Sequence, residues 1–416
     1  MKTIREPARD IPVSASFDVA VVGGGVAGVA AALAAARSGV SVLLVERYCA
    51  LGGLATIGNV IIYLPLCDGC GRQVLGGITE ELLHLSVADL RREIPGAGLR
   101  REPDAWRRKD STAEERTAHR FETSFNPDAV ILAYEKLLAD AGVAIWYDTR
   151  CCAVVRDGNR ITHLLLENKD GRTAVACGTV VDASGDADVC FLAGEKTESL
   201  DTNVVSGWYY TLRDGGDLRL HCLSDRFAAD CGRDPAARGP FLRGDTAAGV
   251  NAQMLEGRAR LREELDRLRA DLAREDPEAD LQPWHIVTFP CFRMTRRLVA
   301  AHSVTAADDH RWFDDAVCLA NDWRKPGPVW SVPYRALCGV ANENLSAVGR
   351  CMSVDTTAWD ALRVIPVCGV TGEAAGVASA MAVKAGHGRL SQLDPKAVAS
   401  ELVRRGNILD RRLVEV

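Results

Sequence analysis

A glycine turn between an apolar strand and an Ala-rich helix restricts the fold of this chain more than any other feature. The turn is Gly23-Gly24-Gly25-Val26-Ala27-Gly28, a G-x-G-x-x-G. Before it, Phe17 to Val22 is a short apolar run that suits a buried strand. After it, Val26 to Arg37 reads as a helix that stops at Ser38-Gly39, where glycine supplies a left-handed cap. Val40 to Val45 is the next apolar strand. Strand, turn, helix and parallel strand fit within about 30 residues, the size of a βαβ unit. In such a unit Gly23 permits the tight turn, Gly25 lets backbone approach a pyrophosphate, and Gly28 lets helix and strand pack closely. The N–H groups and dipole of the helix start, at Val26 and Ala27, favour the negative charge. Glu46 closes the second strand 18 residues past Gly28, where a carboxylate accepts bonds from ribose hydroxyls. A purely structural turn is the alternative, and it leaves the register of the acid unexplained.

Further along, Asn126-Pro127-Asp128 combines an N-cap, a first-turn proline and an early acid, and the helix it starts closes at Gly142. Val143 to Tyr147 reads as a strand. Three β-like runs come next, Cys152–Arg156, Ile161–Glu167 and Arg172–Cys177, separated by Asp157-Gly158-Asn159 and Lys169-Asp170-Gly171 turns. A fourth run, Thr179 to Val181, leads into Asp182-Ala-Ser-Gly-Asp186. From about residue 196 to 335 the character changes: this span holds five of the eight Trp and a charged helix over roughly Ala252 to Arg274. The α/β pattern resumes at Asn344, and an Ala/Gly-rich helix is expected from Thr371 to Lys384. The predicted fold class is α/β, a Rossmann-like domain with a three-stranded meander, plus a mixed α+β capping domain. The expected division is 1–195 and 336–416 for the nucleotide domain and 196–335 for the cap.

A net charge of −6 gives no basic footprint for nucleic acid. Residues 1–16 read as a charged arm without the apolar stretch of a signal peptide. The longest apolar runs, Gly23–Ala36 and Val370–Ala385, are rich in Ala and Gly and stop at charges, so no membrane span is expected. Fourteen scattered cysteines then read as reduced thiols, consistent with a cytoplasmic setting.

The residues just after Glu46 narrow the nucleotide. Glu46-Arg47-Tyr-Cys-Ala-Leu-Gly52-Gly53-Leu-Ala-Thr56 sets two adjacent glycines after the acid, which lets a second loop approach extended phosphates and a ribityl chain. With this stretch the chain resembles the FAD-dependent oxidoreductases related to fumarate reductase and succinate dehydrogenase flavoproteins, with their glutathione-reductase-type FAD fold. The resemblance covers most of the chain. It includes the meander, Val181-Asp-Ala-Ser-Gly-Asp186, Phe292-Arg-Met-Thr-Arg-Arg-Leu298, Val332-Pro-Tyr-Arg335, Gly349-Arg350-Cys351 and Gly372-Glu-Ala-Ala-Gly376. It implies FAD contacts at Gly23, Gly25, Val26, Ala27, Gly28, Glu46, Arg47, Gly52, Gly53, Thr56, Ala153, Ser184, Gly185, Arg350, Arg363, Val370 and Gly372. A helix start at Gly369 to Gly372 would point N–H groups at the negative charge of a reduced flavin.

Three departures from that family matter. No histidine that would tether a flavin stands around Ala55 to Ile62, so FAD is expected to bind non-covalently. Arg350 follows Gly349 where relatives carry an acid. There is no second G-x-G-x-x-G, so electrons must pass to or from substrate, oxygen, a diffusing reductant or an electron-transfer partner protein. Cys67-Asp-Gly-Cys70 reads as a loop with incidental thiols: further zinc ligands do not follow, and the family does not use a dithiol relay. Trp330-Ser-Val-Pro333 resembles part of the flavin-dependent halogenase signature, but Pro328 stands where its preceding Trp belongs.

The expected activity is an FAD-dependent oxidoreductase acting on a small polar organic substrate by hydride transfer at flavin N5. Such transfer needs a proton donor or acceptor and a cation for substrate oxygens. Arg296 and Arg335 are the candidates for oxyanion binding and Tyr334 or His302 for proton transfer, with His285 and His310 behind them. The rival readings are a flavin-dependent hydratase or isomerase without net redox, a non-catalytic electron-transfer subunit, and an NAD-dependent dehydrogenase.

Overall fold

The strand Val13–Val22 sits at the centre of a seven-stranded sheet. The computed structural model describes residues 2–5, 7–119, 122–224 and 239–415; residues 225–238, part of the expected cap, lie outside the described residues. The strand starts four residues before the apolar run, because Val13 to Phe17 pair through backbone with Ala174 to Cys177 while remaining partly exposed. On one side it pairs in parallel with Val42–Val45, which pairs in parallel with Ala144–Trp146. On the other it pairs in parallel with Gly171–Asp182, from which the meander strands Arg160–Asn168 and Arg150–Asp157 continue antiparallel. Leu345–Ala347 returns from far along the chain and adds in parallel at Val180 to Asp182. These pairings make the fold α/β with a mostly parallel sheet, as the sequence pattern predicts.

Two expected boundaries change. The runs Arg172–Cys177 and Thr179–Val181 form one strand, Gly171–Asp182. Gly178 between them is a close approach and not a break, since a Cβ there would lie 2.7 Å from the Asp18 carbonyl oxygen. The Ala/Gly-rich helix, called the closing helix below, runs over Ile365–Lys384, starting six residues before the expected Thr371 with Pro366 in its first turn. The helix therefore begins two residues after Arg363, and Gly369 to Gly372 lie inside it, not at its N-terminus. These glycines serve packing: a Cβ on Gly372 would land on the Ala27 carbonyl oxygen, and one on Gly376 on that of Ala31. Spaced four apart, they form one face of the helix. That face lies directly against the opening helix, Val26–Arg37. By length and mean hydropathy of 1.3 the closing helix would pass for a membrane span, yet 83% of its most apolar window is buried inside the fold.

Within the span expected to form the cap lies a three-stranded antiparallel sheet of Ser206–Arg213, Asp217–Ser224 and Leu281–His285. Beside it runs the long helix Ala247–Glu275, capped by Thr246, whose hydroxyl accepts the Gly249 N–H. Leu261 and Leu265 of this helix bury Tyr209 of the sheet. The hairpin Ala316–Asn321 and Val329–Pro333 packs instead on the closing helix and on Pro395–Arg404.

The helix contact makes a stability prediction. Gly376→Leu should cost about 3 kcal/mol, the upper range for overpacking a filled core, because its Cβ meets backbone and not a movable side chain. Urea unfolding reads this out, and an unchanged midpoint would refute the close-packed contact.

Candidate functional site

The glycine turn and two neighbouring loops make the floor of one elongated cleft. Gly23 adopts φ +107°, and a Cβ there would strike the Ala183 carbonyl oxygen. A Cβ on Gly28 would strike the Gly23 carbonyl oxygen, so that glycine seats the helix on its own turn. Gly25 has nothing within 4 Å of where its Cβ would stand and faces open space. The second loop has Gly52 at φ +96° and Gly53 at φ +56°, and the Gly52 N–H donates to the Gly24 carbonyl at 2.8 Å. The two glycine loops are thus bonded to each other. The third loop, Ser184-Gly185, is held by the buried Asp182: the Ser184 hydroxyl donates to its Oδ1 at 2.6 Å and the Cys190 N–H to its Oδ2 at 2.8 Å. The Cys351 sulfur accepts the N–H groups of Gly185 and Ala187 at 3.1 and 3.2 Å, and burial pushes its thiol well above the usual range.

Two hollows share Gly23, Glu46, Arg47 and Ser184 and so join end to end. The wider one runs past Thr149 to Cys152, Phe191 and Arg296, and the narrower one past Gly25, Gly53, Phe289, Arg350, Arg363 and Cys368. Glu46 lies where they meet, 7% exposed. Its Oε2 accepts the Gly24 N–H at 2.6 Å and its Oε1 the Tyr48 N–H at 2.8 Å. Burial raises its pKa, and these two N–H groups oppose the rise. The carboxylate thereby ties the glycine turn, and the backbone at Tyr48, to the end of the second strand, a role beyond the expected contact with ribose.

Positive charge lines both hollows. Arg47 reaches Asp186 at 3.4 Å and lies over the Tyr48 ring at 5.2 Å. Arg296 bridges to Asp188 at 2.6 Å, donates to the Asp186 carbonyl, and stacks over Phe191 at 4.4 Å. The Arg350 Nη1 donates to the Phe292 carbonyl at 2.7 Å, and its guanidinium fills the space where a Cβ on Gly185 would be. Arg363 pairs with Asp360, while its buried Nε has no partner. Burial, and then the nearby Arg363 charge, lower the pKa of Arg293. An anionic group beside Arg363 would relieve this crowding.

Of the expected cofactor contacts, Gly23, Gly25, Val26, Ala27, Glu46, Arg47, Gly52, Gly53, Ser184, Gly185, Arg350 and Arg363 line the cleft. Gly28, Val370 and Gly372 are packed within the helices. The Thr56 hydroxyl donates to the Leu51 carbonyl at 2.5 Å, which shapes the second loop from within. Ala153 is in the meander opposite Leu165, next to the lining residue Cys152. Among the expected catalytic residues only Arg296 lines the cleft, in the wider hollow and bound to Asp188. The other three lie elsewhere: around Phe313, Arg335 pairs with Asp315 and lies 5.0 Å over the ring and His302 meets the ring edge at 4.8 Å and pairs with Asp308, while the buried Tyr334 hydroxyl donates to the Leu390 carbonyl. Each is engaged by these neighbours outside the cleft. Phe289, Asp188 and Asp245 border the cleft without any motif that would have singled them out.

The dithiol motif is a tight loop in which Cys67 is buried and Cys70 exposed. Asp68 accepts the Cys70 N–H and pairs with Arg72 at 2.6 Å.

A family model described as FAD dependent oxidoreductase matches residues 18–203 and 241–402. A ferredoxin:CoB-CoM heterodisulfide reductase subunit from Methanosarcina acetivorans is 37% identical over 78 residues, 18% of this chain and 10% of that protein. Thioredoxin reductase from Ureaplasma parvum is 36% identical over 72 residues, 17% of this chain and 23% of that protein. The matched stretches span less than a quarter of either curated relative. A geranylgeranyl bacteriochlorophyll reductase-like protein from Thermoplasma acidophilum superposes with a TM-score of 0.48 at 14% identity, over 96% of this chain and 90% of that one. The family match does not single out the fumarate reductase and succinate dehydrogenase branch.

Two measurements test the cleft. Glu46→Ala removes two charge-assisted backbone bonds, each on the order of 1.5–3 kcal/mol, so FAD affinity should fall at least about tenfold. A dissociation constant equal to that of the parent would show that the loops do not need this tie. Asp188 has its pKa raised to about 6, by burial first and then by the charges of Asp186 and Asp182. A raised carboxyl pKa favours the folded protein below the unfolded value, and that contribution is lost as pH rises through about 6. Ionisation also adds negative charge to the cleft that takes the anionic FAD, so FAD should bind a few-fold more weakly at pH 7 than at pH 5. The effect stays small because the Asp188 side chain is 40% exposed and screened by solvent. In Asp188→Asn the pH dependence should flatten; an identical slope would assign it to another group.

Proposed function

This chain belongs to the FAD dependent oxidoreductase family, its cofactor is FAD, and we propose that it oxidises or reduces a small polar organic substrate by hydride transfer at flavin N5. The observation that carries this reading is the single elongated cleft laid over two bonded glycine loops and an opening helix, with arginines at its far end. An extended dinucleotide needs that shape and that charge. Bound there, FAD would supply the two-electron chemistry. The chain's own groups do the rest. The Val26 helix start and Gly25 would receive the pyrophosphate, Glu46 the ribose side, and Arg350 and Arg363 the electron-rich edge of the ring system. The cap, read as residues 196–335, would cover the ring and exclude water. Electrons would leave to, or arrive from, a diffusing molecule or a partner protein.

The test is anaerobic. Protein carrying one FAD per chain should lose its yellow colour in proportion to added reducing substrate and regain it with an artificial acceptor. A flavin that stays oxidised through turnover would replace redox with a flavin-assisted non-redox reaction. Acid precipitation should release all of the yellow colour into the supernatant, whereas colour retained in the pellet would mean a covalent bond. Arg350→Met should weaken FAD retention about tenfold or more, since it removes one cation from the crowded end.

A further inference from the structure

Residues 287–295 form no helix or strand and join Leu281–His285 of the cap sheet to the strand Arg296–Leu298. Even so, Val287, Phe289, Cys291, Phe292 and Met294 are all buried. We propose that this segment is a strap across the flavin cleft, and that Phe289 must lift before FAD enters or leaves. The proposal rests on FAD binding in that cleft, and it adds a property that hydride transfer does not require, a trapped cofactor.

The segment is anchored on both banks of the cleft. Beside the second glycine loop, the Phe289 ring meets the Tyr48 ring at 5.1 Å and lies 6.0 Å from the Arg47 guanidinium. The Cys291 thiol donates to the carbonyl of Gly58, whose own N–H bonds Gly53. On the bank of the third loop, Arg350 donates to the Phe292 carbonyl at 2.7 Å and the Thr295 hydroxyl to Asp186 at 2.8 Å. The crossing lies at the waist of the cleft, since Arg47 lines both hollows and Asp186 stands two residues past Ser184, which also lines both. Phe289 lines the narrow hollow with Gly25, Gly53 and Arg350. It is the one residue of the span 196–335 among the described residues lining that hollow.

The shape of the cofactor gives this crossing its meaning. An extended dinucleotide is thin at its pyrophosphate, which belongs at the glycine turn, and broad at both ends, where the ring systems stand. A molecule that fills both hollows therefore cannot slide out lengthwise beneath a strap at the waist. It leaves only when the strap rises.

The ties also show which end moves. The Thr295 end is fixed, because it bonds Asp186 and continues into a strand that pairs with Thr197–Ser199. Towards Val287 the hold on the nucleotide domain is weaker: Phe289 meets Tyr48 through ring packing, and Cys291 reaches Gly58 through a thiol, a weak donor. The same stretch is held more firmly by the cap. The Ser206 hydroxyl donates to the Cys291 carbonyl at 2.9 Å, and Arg258 of the long helix donates through Nε and Nη2 to the Val287 carbonyl, both at 3.3 Å. A Cβ on Gly207 of the cap sheet would strike the Val287 side chain, so the two are in close contact. The strap therefore rises with the cap, and Phe289 parts from Tyr48.

Two rates measured on the full chain test this. Release is read on FAD-loaded protein as exchange of bound FAD for isotopically labelled FAD in solution. Uptake is read on protein stripped of FAD, as quenching of flavin fluorescence after mixing. A lid slows both directions, whereas a wall residue slows release alone. In Phe289→Ala both rates should rise at least about tenfold while the dissociation constant changes by less than about threefold. Phe289→Tyr should restore the parent rates. Arg258 lines neither hollow, so Arg258→Met tests the cap-side tie without altering a buried ring. It should raise both rates at least about threefold. Faster release with unchanged uptake, or parent rates in either Phe289→Ala or Arg258→Met, would overturn the strap. Parent protein that takes up no FAD would disprove the cofactor site itself, and the strap with it.

Discussion

The site depends on two helices touching without side chains between them. Side-chain contacts normally hold helix axes about 8–10 Å apart. Here Gly372 and Gly376 of the closing helix lie directly on the Ala27 and Ala31 carbonyls of the opening helix. That contact brings Arg350 and Arg363, from far along the chain, to the same hollow as Gly25 and Gly53. Gly28 closes the arrangement from the other side by seating the opening helix on its own turn. A larger residue at any of these positions would separate the walls, and the cleft would lose its far end.

The cleft is also organised from beneath by buried acceptors that hold backbone N–H groups. Glu46 takes those of Gly24 and Tyr48, Asp182 those of Ser184 and Cys190, and the Cys351 sulfur those of Gly185 and Ala187. Each loop is fixed by protein groups, so the shape of the cleft does not need the cofactor to create it. Preorganisation of this kind lowers the ordering cost of binding. It also explains why carboxylates survive at low exposure: the N–H groups compensate the desolvation that burial imposes.

The nucleotide half of this architecture is legible in the residues because its signals are local. The glycine turn, the helix Val26–Arg37, the meander and the Asn126 cap each follow from a few adjacent residues, and their expected boundaries lie close to the observed ones. The start of the closing helix is harder to read, because Ile365 to Val370 is apolar and carries a proline that suits a first turn as well as a break. The catalytic candidates show the other limit. Tyr334, Arg335 and His302 have suitable chemistry, but the Leu390 carbonyl, Asp315 and Asp308 engage them outside the cleft. Pairing of this kind is set by tertiary neighbours that residue spacing does not reveal. For the same reason no motif points to Phe289 or Asp245.

The returning strand has a consequence for how the protein is made. Leu345–Ala347 completes the sheet beside Val180 to Asp182, and the closing helix follows it. While a ribosome is still producing the middle of the chain, the glycine loops exist but the opposite wall does not. Contacts separated by more than three hundred residues form late, and until then the Ala-rich face of the opening helix has nothing to cover it. Cofactor capture therefore waits for the closing helix, and the interval before it is when the nascent protein is most exposed to aggregation.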